Sequence, residues 1–295
     1  MSSLRLPVHV NSDKPSKIKR TLKSFKIECT KIVLTEGDYF DIYDIELRPG
    51  TRSSTVDRAL TDIGLALKSH SCPRGYPVLS SGVYRIEVQQ KELKSISFDR
   101  AYSPAEDMYM PVALGVNADG SEFCTDLHKL PNLLIGGIPG SGKSVLLHSI
   151  IFSLLKCSSD LYLVDPKMVE FNLYEGLQGV KTIVNDIEGA YDVISQVTEI
   201  MENRFKLLKS KGARNVQDYN NKVSAKKRLN PVVIVIDEWA DIILQDKKVQ
   251  EPLCRIAQKG RAAGVSIVLA TQRPSAKVIS GLIKASFSGR IGLRV

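Results

Sequence analysis

The chain has 295 residues, 43% hydrophobic, with a formal net charge of +9, enough to bury a sizeable core as one large domain or two modest ones and to favour an acidic partner such as nucleic acid or an anionic membrane surface. Its five cysteines form no CxxC pair and meet no clustered histidine, which argues against a disulfide framework and a zinc site and fits a reducing cytoplasm. No run of about 18 apolar residues and no secretory leader is legible, so no membrane span is expected in this chain.

Residues 1–29 are rich in Lys and Arg and show little apolar periodicity, so they read as a basic mobile arm; contact with nucleic acid is open to it, and a solvated tail is the simpler reading. From 30 to 107 a small α+β domain is expected. Tyr39 to Leu47 alternates as a strand and stops at Pro49-Gly50, Val56, Leu60, Ile63 and Leu67 recur at helical spacing, and Val83 to Val88 reads as another strand. Ser103-Pro104 marks the boundary, and residues 108–295 form the second domain.

That second domain begins with strand-like Val112 to Val116, a turn at Asn117 to Gly120, and the apolar strand Leu133 to Ile135, which runs into a glycine-rich loop. Helix Lys143 to Lys156 and strand Leu161 to Val164 follow, the order of a parallel α/β sheet flanked by helices. A long amphipathic helix is expected from about Asp186 to Lys211. The wholly apolar strand Val232 to Ile236 comes next, then a helix near Val249 to Ala263 and strand Val265 to Ala270.

The loop Gly137, Ile138, Pro139, Gly140, Ser141, Gly142, Lys143, Ser144 fits the phosphate-binding pattern G-x-x-x-x-G-K-[ST], whose glycines let backbone N–H groups turn inward around phosphate oxygens. Lys143 is expected to reach the β and γ phosphates of ATP and Ser144 to offer its hydroxyl to Mg²⁺. Asp237 and Glu238 leave the carboxyl end of a buried strand, where ligands sit in open α/β sheets. Asp237 is assigned to the Mg²⁺ shell and Glu238 to polarising the attacking water, the alternative being that the two simply cap the next helix. Thr271-Gln272 ends a neighbouring strand, and Gln272 is the candidate sensor of the γ-phosphate.

The wording GGIPGSGKSVLLHSII, LVDPKMVEFNLYEGL, VVIVIDEWADII and RIAQKGRAAGVSIVLATQRPSAKVISGLIKASFSGRI resembles the motor of the FtsK/SpoIIIE DNA translocases, over Leu133 to about Ile291. The segment from Tyr39 to Leu130 resembles the small α+β domain that precedes this motor. The resemblance implies a RecA-like P-loop fold and a ring, expected as a hexamer, that threads double-stranded DNA and hydrolyses ATP at subunit interfaces. It further implies Arg261 as the arginine finger donated to a neighbour, with Arg290 as second choice, and Arg273 and Lys284 as DNA-phosphate contacts. A cation complementing a helix end is the plainer reading of Arg261. Against the family pattern, the sequence shows no amino-terminal membrane helices, no carboxyl-terminal winged-helix module and an end at Val295 that leaves the motor domain apparently truncated. A ring ATPase for protein export and a non-motor ATP- and DNA-binding remnant stay open as other functions.

Overall fold

The computed structural model describes residues 13–91 and 95–294. The chain divides into two compact units, one of residues 1–101 with 115–123, the other of residues 102–114 with 124–295.

The first unit holds helix α1 (Lys14–Ser24), strands β1 (Cys29–Thr35) and β2 (Phe40–Leu47), helix α2 (Ser53–Leu67), strands β3 (Arg74–Val78) and β4 (Val83–Gln89), and the single turn α3 (Phe98–Ala101). Its four strands pair antiparallel in the order β1-β2-β4-β3. Both helices cover the sheet: Ile18 and Leu22 of α1 and Val56, Ala59 and Ile63 of α2 join Tyr43, Ile45, Tyr84 and Ile86 in one core. Residues 14–24 therefore correct the expectation of a mobile arm. With only two core residues four positions apart among five cations, the helix has almost no sequence signature, and it is packing on the sheet that stabilises it. Residues 1–12 of the expected arm lie outside the described residues. Strands β1 and β3 are additions to the expected elements. They are the sheet edges, where Lys31 and Pro77 are tolerated because one side of the strand needs no ladder partner.

After the two-stranded sheet of β5 (Pro111–Val116) and β6 (Glu122–Asp126), the second unit is a six-stranded parallel sheet ordered β12-β7-β11-β10-β8-β9. Its elements are β7 (Asn132–Gly136), α4 (Lys143–Lys156), β8 (Asp160–Val164), β9 (Val180–Val184), α5 (Ile187–Ser210), α6 (Val216–Lys222), β10 (Val232–Ile236), α7 (Trp239–Ile243), α8 (Gln250–Lys259), β11 (Val265–Thr271), α9 (Gly281–Ser286) and β12 (Gly289–Gly292). The apolar run of β10 needs both faces covered, and they are. Val232, Ile234 and Ile236 pack with α5, α7 and α8, whereas Val233 and Val235 pack with α4. The crossover α4 lies on one face and the later helices on the other, so the phosphate loop after β7 sits at the carboxyl edge where the winding changes side.

Arg204, which opens a basic stretch of the sequence, is a structural residue rather than a surface cation. It is 6% exposed and donates to the carbonyls of Ala263 at 2.9 Å and Asn230 at 2.7 Å. Helix α8 stops at Lys259, short of the expected Ala263, and Gly260 follows it in a crowded position that admits no side chain: a Cβ there would stand 2.7 Å from the carbonyl oxygens of Ile256 and Val265.

Candidate active site

The phosphate loop is a tight backbone turn. Gly140 and Gly142 take φ of 75° and 91°, values that L side chains rarely adopt. At Gly137 the reason is space, since a Cβ would meet Leu293 Cβ at 2.9 Å and Ser141 Oγ closer still. The loop is tied down by Gly137 N–H to the Thr271 carbonyl at 3.2 Å and by Ile138 N–H to the Arg294 carbonyl at 2.9 Å. Helix α4 then starts at Lys143, leaving its first N–H groups pointing into the loop. The Ser141 hydroxyl is buried with no hydrogen-bond partner, a state that costs about 1–3 kcal/mol and that a phosphate oxygen would relieve. The loop therefore fits a polyphosphate.

Four carboxylates, Asp165, Glu170, Asp237 and Glu238, follow the tips of β8 and β10. Lys143 Nζ donates to the Asp237 carbonyl at 2.8 Å and to Asp237 Oδ1, with Lys143 4% and Asp237 2% exposed. Burial pushes the Asp237 carboxyl above its ordinary range, Lys143 pulls it back, and Asp165 and Glu170 add to the push. Asp165, 1% exposed, accepts from the backbone of Lys167 (3.2 Å), Glu170 (2.8 Å) and Phe171 (3.0 Å), and so fixes the turn after β8.

That turn delivers Glu170, which sequence reasoning missed. Glu170 Oε1 accepts from Ser144 Oγ at 2.7 Å and Oε2 stands 3.3 Å from His148 Nε2, while His148 Nδ1 is 2.6 Å from the Tyr174 hydroxyl. Ser144 and His148 are four apart on α4 and share a face. The available signal was Glu170's place five residues after Asp165, inside the stretch LVDPKMVEFNLYEGL that carries part of the family resemblance.

Glu238 is 2% exposed. Its Oε1 accepts from Ala240 N–H at 3.2 Å and Thr271 Oγ1 at 2.6 Å, and its Oε2 from Gln272 N–H at 2.9 Å. The residue caps α7, as the plainer alternative held, and it also grips the tip of β11. A carboxylate offers about four lone-pair positions, so Oε2 keeps one free for a water molecule. Lys167 Nζ lies 4.0 Å from that oxygen.

The remaining candidates are dispersed. Gln272 follows β11 and meets Glu238 through its backbone. Arg273 is exposed next to it, its N–H donating to Thr271 Oγ1 at 3.1 Å. Lys284 is exposed on α9, where its carbonyl accepts from Arg290 Nη2 at 2.5 Å. Arg261 is exposed at the amino end of β11, roughly 20 Å of strand from the phosphate loop at about 3.3 Å per residue. It cannot reach the site of its own chain.

No group of three His, Cys, Asp or Glu among the described residues is arranged to hold a metal alone. Ser144 and Asp237 present a hydroxyl and a carboxylate beside the loop, the hard oxygen donors suited to Mg²⁺ that completes its shell with phosphate oxygens and water.

The model of the FtsK/SpoIIIE family matches residues 95–276, more than half of the chain. Among curated proteins, the DNA translocase FtsK of Caldanaerobacter subterraneus subsp. tengcongensis is 33% identical over 293 residues, covering 96% of this chain and 41% of that protein. The DNA translocase FtsK of Haemophilus influenzae is 30% identical over 315 residues, covering 95% and 59%. The chain thus spans less than two thirds of those two relatives' length. Among solved structures, the pCW3 conjugation coupling protein TcpA, a monomer form with ATPγS, superposes with a TM-score of 0.60 at 23% identity, covering 95% of this chain and 83% of that one. The cytoplasmic domain of the Thermomonospora curvata type VII secretion ATPase EccC gives 0.55 at 25%, covering 68% and 26%.

Proposed function

The chain belongs to the FtsK/SpoIIIE family, and from that premise we propose that it hydrolyses ATP to move double-stranded DNA, working as a ring of identical subunits. One observation carries the reading furthest: the carboxylate suited to activating water, Glu238, is bonded to Thr271 and to the Gln272 backbone, immediately before Arg273. A change at the γ-phosphate is thereby linked, through one side chain, to a segment with an exposed cation suited to a DNA phosphate.

In this reading the loop residues 137–144 hold the nucleotide, and Lys143 neutralises phosphate charge. Ser144 and Asp237 hold Mg²⁺, which when bound supplies Lewis-acid stabilisation of the phosphate charge. Glu238 takes the proton of the attacking water, Gln272 reports the γ-phosphate, and Arg261 serves the site of a neighbouring subunit. Arg273 and Lys284 touch DNA phosphates, a sequence-independent contact suited to sliding.

The test is ATP turnover with and without long duplex DNA, coupled to displacement of a triplex-forming strand. Stimulation with displacement is expected. Stimulation without displacement would identify an ATP- and DNA-binding protein that does not move its ligand, and the absence of any DNA response would remove DNA as the substrate.

A further inference from the structure

Charge in the first unit is unevenly placed. Between Lys14 and Lys31 there are seven Lys or Arg and a single acid, Glu28. Glu28 is engaged by Arg48, Lys14 by Asp41 and Lys17 by Asp13. Lys19, Arg20, Lys23, Lys26 and Lys31 are all exposed, and among the described residues none of the five has a carboxylate within 4.0 Å.

The helix organises three of them. Ile18 and Leu22 anchor the inner face of α1, which leaves Lys19, Arg20 and Lys23 exposed, Lys23 lying four and three positions after the other two, while Lys26 follows the helix in a turn at φ 59°. Like charges at that spacing destabilise an isolated helix, so the stripe is not there for helix stability. Lys on an edge strand discourages strand pairing, which accounts for Lys31 alone. Between α1 and β1 lies a cavity of about 180 Å³ lined by Ser16, Lys19, Thr30 and Lys31 among others, so that two lysines border a space sufficient for a phosphate group, with the Thr30 hydroxyl donating to Glu46.

We propose that the α1–β1 face of the first unit is a second DNA-backbone site, separate from the motor's own, with the stripe Lys19–Arg20–Lys23 following phosphates and the cavity seating one of them. It rests on the reading of the chain as a DNA motor. Cations about one helical turn (5.4 Å) apart come near the spacing of successive phosphates, and nothing in the set reads base edges, so the contact is with backbone. Neutralising such phosphates releases counterions, which sets a measurable signature: the slope of log affinity against log salt changes by about 0.9 for each phosphate that is no longer neutralised.

The experiment uses the full 295-residue chain, a labelled 30-base-pair duplex and a salt series read by fluorescence anisotropy. The quadruple variant Lys19→Gln, Arg20→Gln, Lys23→Gln, Lys31→Gln alters only exposed side chains and is expected to fold, as circular dichroism and melting would show. It should bind duplex about 10- to 100-fold more weakly, with the salt slope reduced by about 2 to 4, while ATP turnover without DNA is unchanged. The control Lys247→Gln, Lys248→Gln, Lys206→Gln, Lys209→Gln removes as many cations from the second unit and should have a smaller effect on affinity. Equal losses in both variants, or an unchanged slope in the first, would overturn the site while leaving a DNA-stimulated wild type, and hence the motor reading, standing. A wild type that neither binds duplex nor is stimulated by it would remove both. Binding to anionic vesicles that depends on the four residues, without duplex binding, would reassign the face to membrane.

Discussion

At Glu238, three donors hold both carboxylate oxygens and leave Oε2 one open position, so orientation as well as charge is built in. With Glu238 as the proposed base, Glu238→Gln keeps an acceptor but removes the proton acceptor for water. Turnover should fall about 10²- to 10⁴-fold with nucleotide affinity retained, since general-base contributions have that size; turnover and ATPγS binding measured side by side would show it. With Ser144 as the proposed Mg²⁺ ligand, Glu170 acts through it by the hydrogen bond at 2.7 Å. Partners that orient metal ligands are worth about 10- to 100-fold in metal affinity, so Glu170→Ala should raise the Mg²⁺ concentration for half-maximal turnover by that factor and Glu170→Gln by much less. Mn²⁺ binding followed by electron paramagnetic resonance gives the same comparison without turnover. His128 offers a pH test. Burial lowers its imidazole below the ordinary 6.5, Arg261 lowers it further, and Asp126 opposes. A group with a depressed folded-state pKa contributes stability above its unfolded value that is lost as pH falls. Stability should therefore decline below about pH 6.5, and His128→Asn should flatten that decline in denaturation curves taken from pH 7.5 to 5.

The elements show why the loop tolerates so little change. β7 ends at Gly136, Gly137 is closed in by Leu293 and Ser141, and α4 begins six residues later. A methyl group at Gly137 has no free space, so Gly137→Ala should displace the Ser141 side chain and lower ATP affinity by at least tenfold, with the melting temperature within a few degrees of wild type; isothermal titration with ATPγS would measure it. β10 illustrates the opposite case. Its five residues are 0–1% exposed, so its sequence is constrained by packing on both faces and reads as a continuous apolar run. The carboxylates Asp237 and Glu238 lie at its end because that is where the chain first meets polar surroundings.

For the molecule as a whole, the placement of Arg261 at the far end of β11 from its own phosphate loop makes the assembly testable. If Arg261 completes a neighbour's site, Arg261→Ala and Lys143→Ala should each be inactive alone yet recover part of the DNA-stimulated turnover when mixed, because a mixed ring contains interfaces with both residues intact. Recovery at every mixing ratio being zero would assign Arg261 to some other task.

The phosphate loop, the buried strands of the large sheet and the paired acids after β10 were legible from residue order, because each is a local pattern: glycines at fixed offsets, apolar runs, carboxylates at a strand end. Helix α1 was not, since Ile18 and Leu22 look isolated among cations until a sheet lies beneath them. The edge strands β1 and β3 were missed because edges carry weak alternation and admit Lys and Pro. Glu170 reaches Ser144 from 26 positions away, and Thr271 reaches Glu238 from 33; such pairs depend on which strands become neighbours. Chain order supplied the chemical groups of the site, and the parallel sheet decided which of them meet, because strand adjacency follows from packing helices on both faces rather than from any local preference.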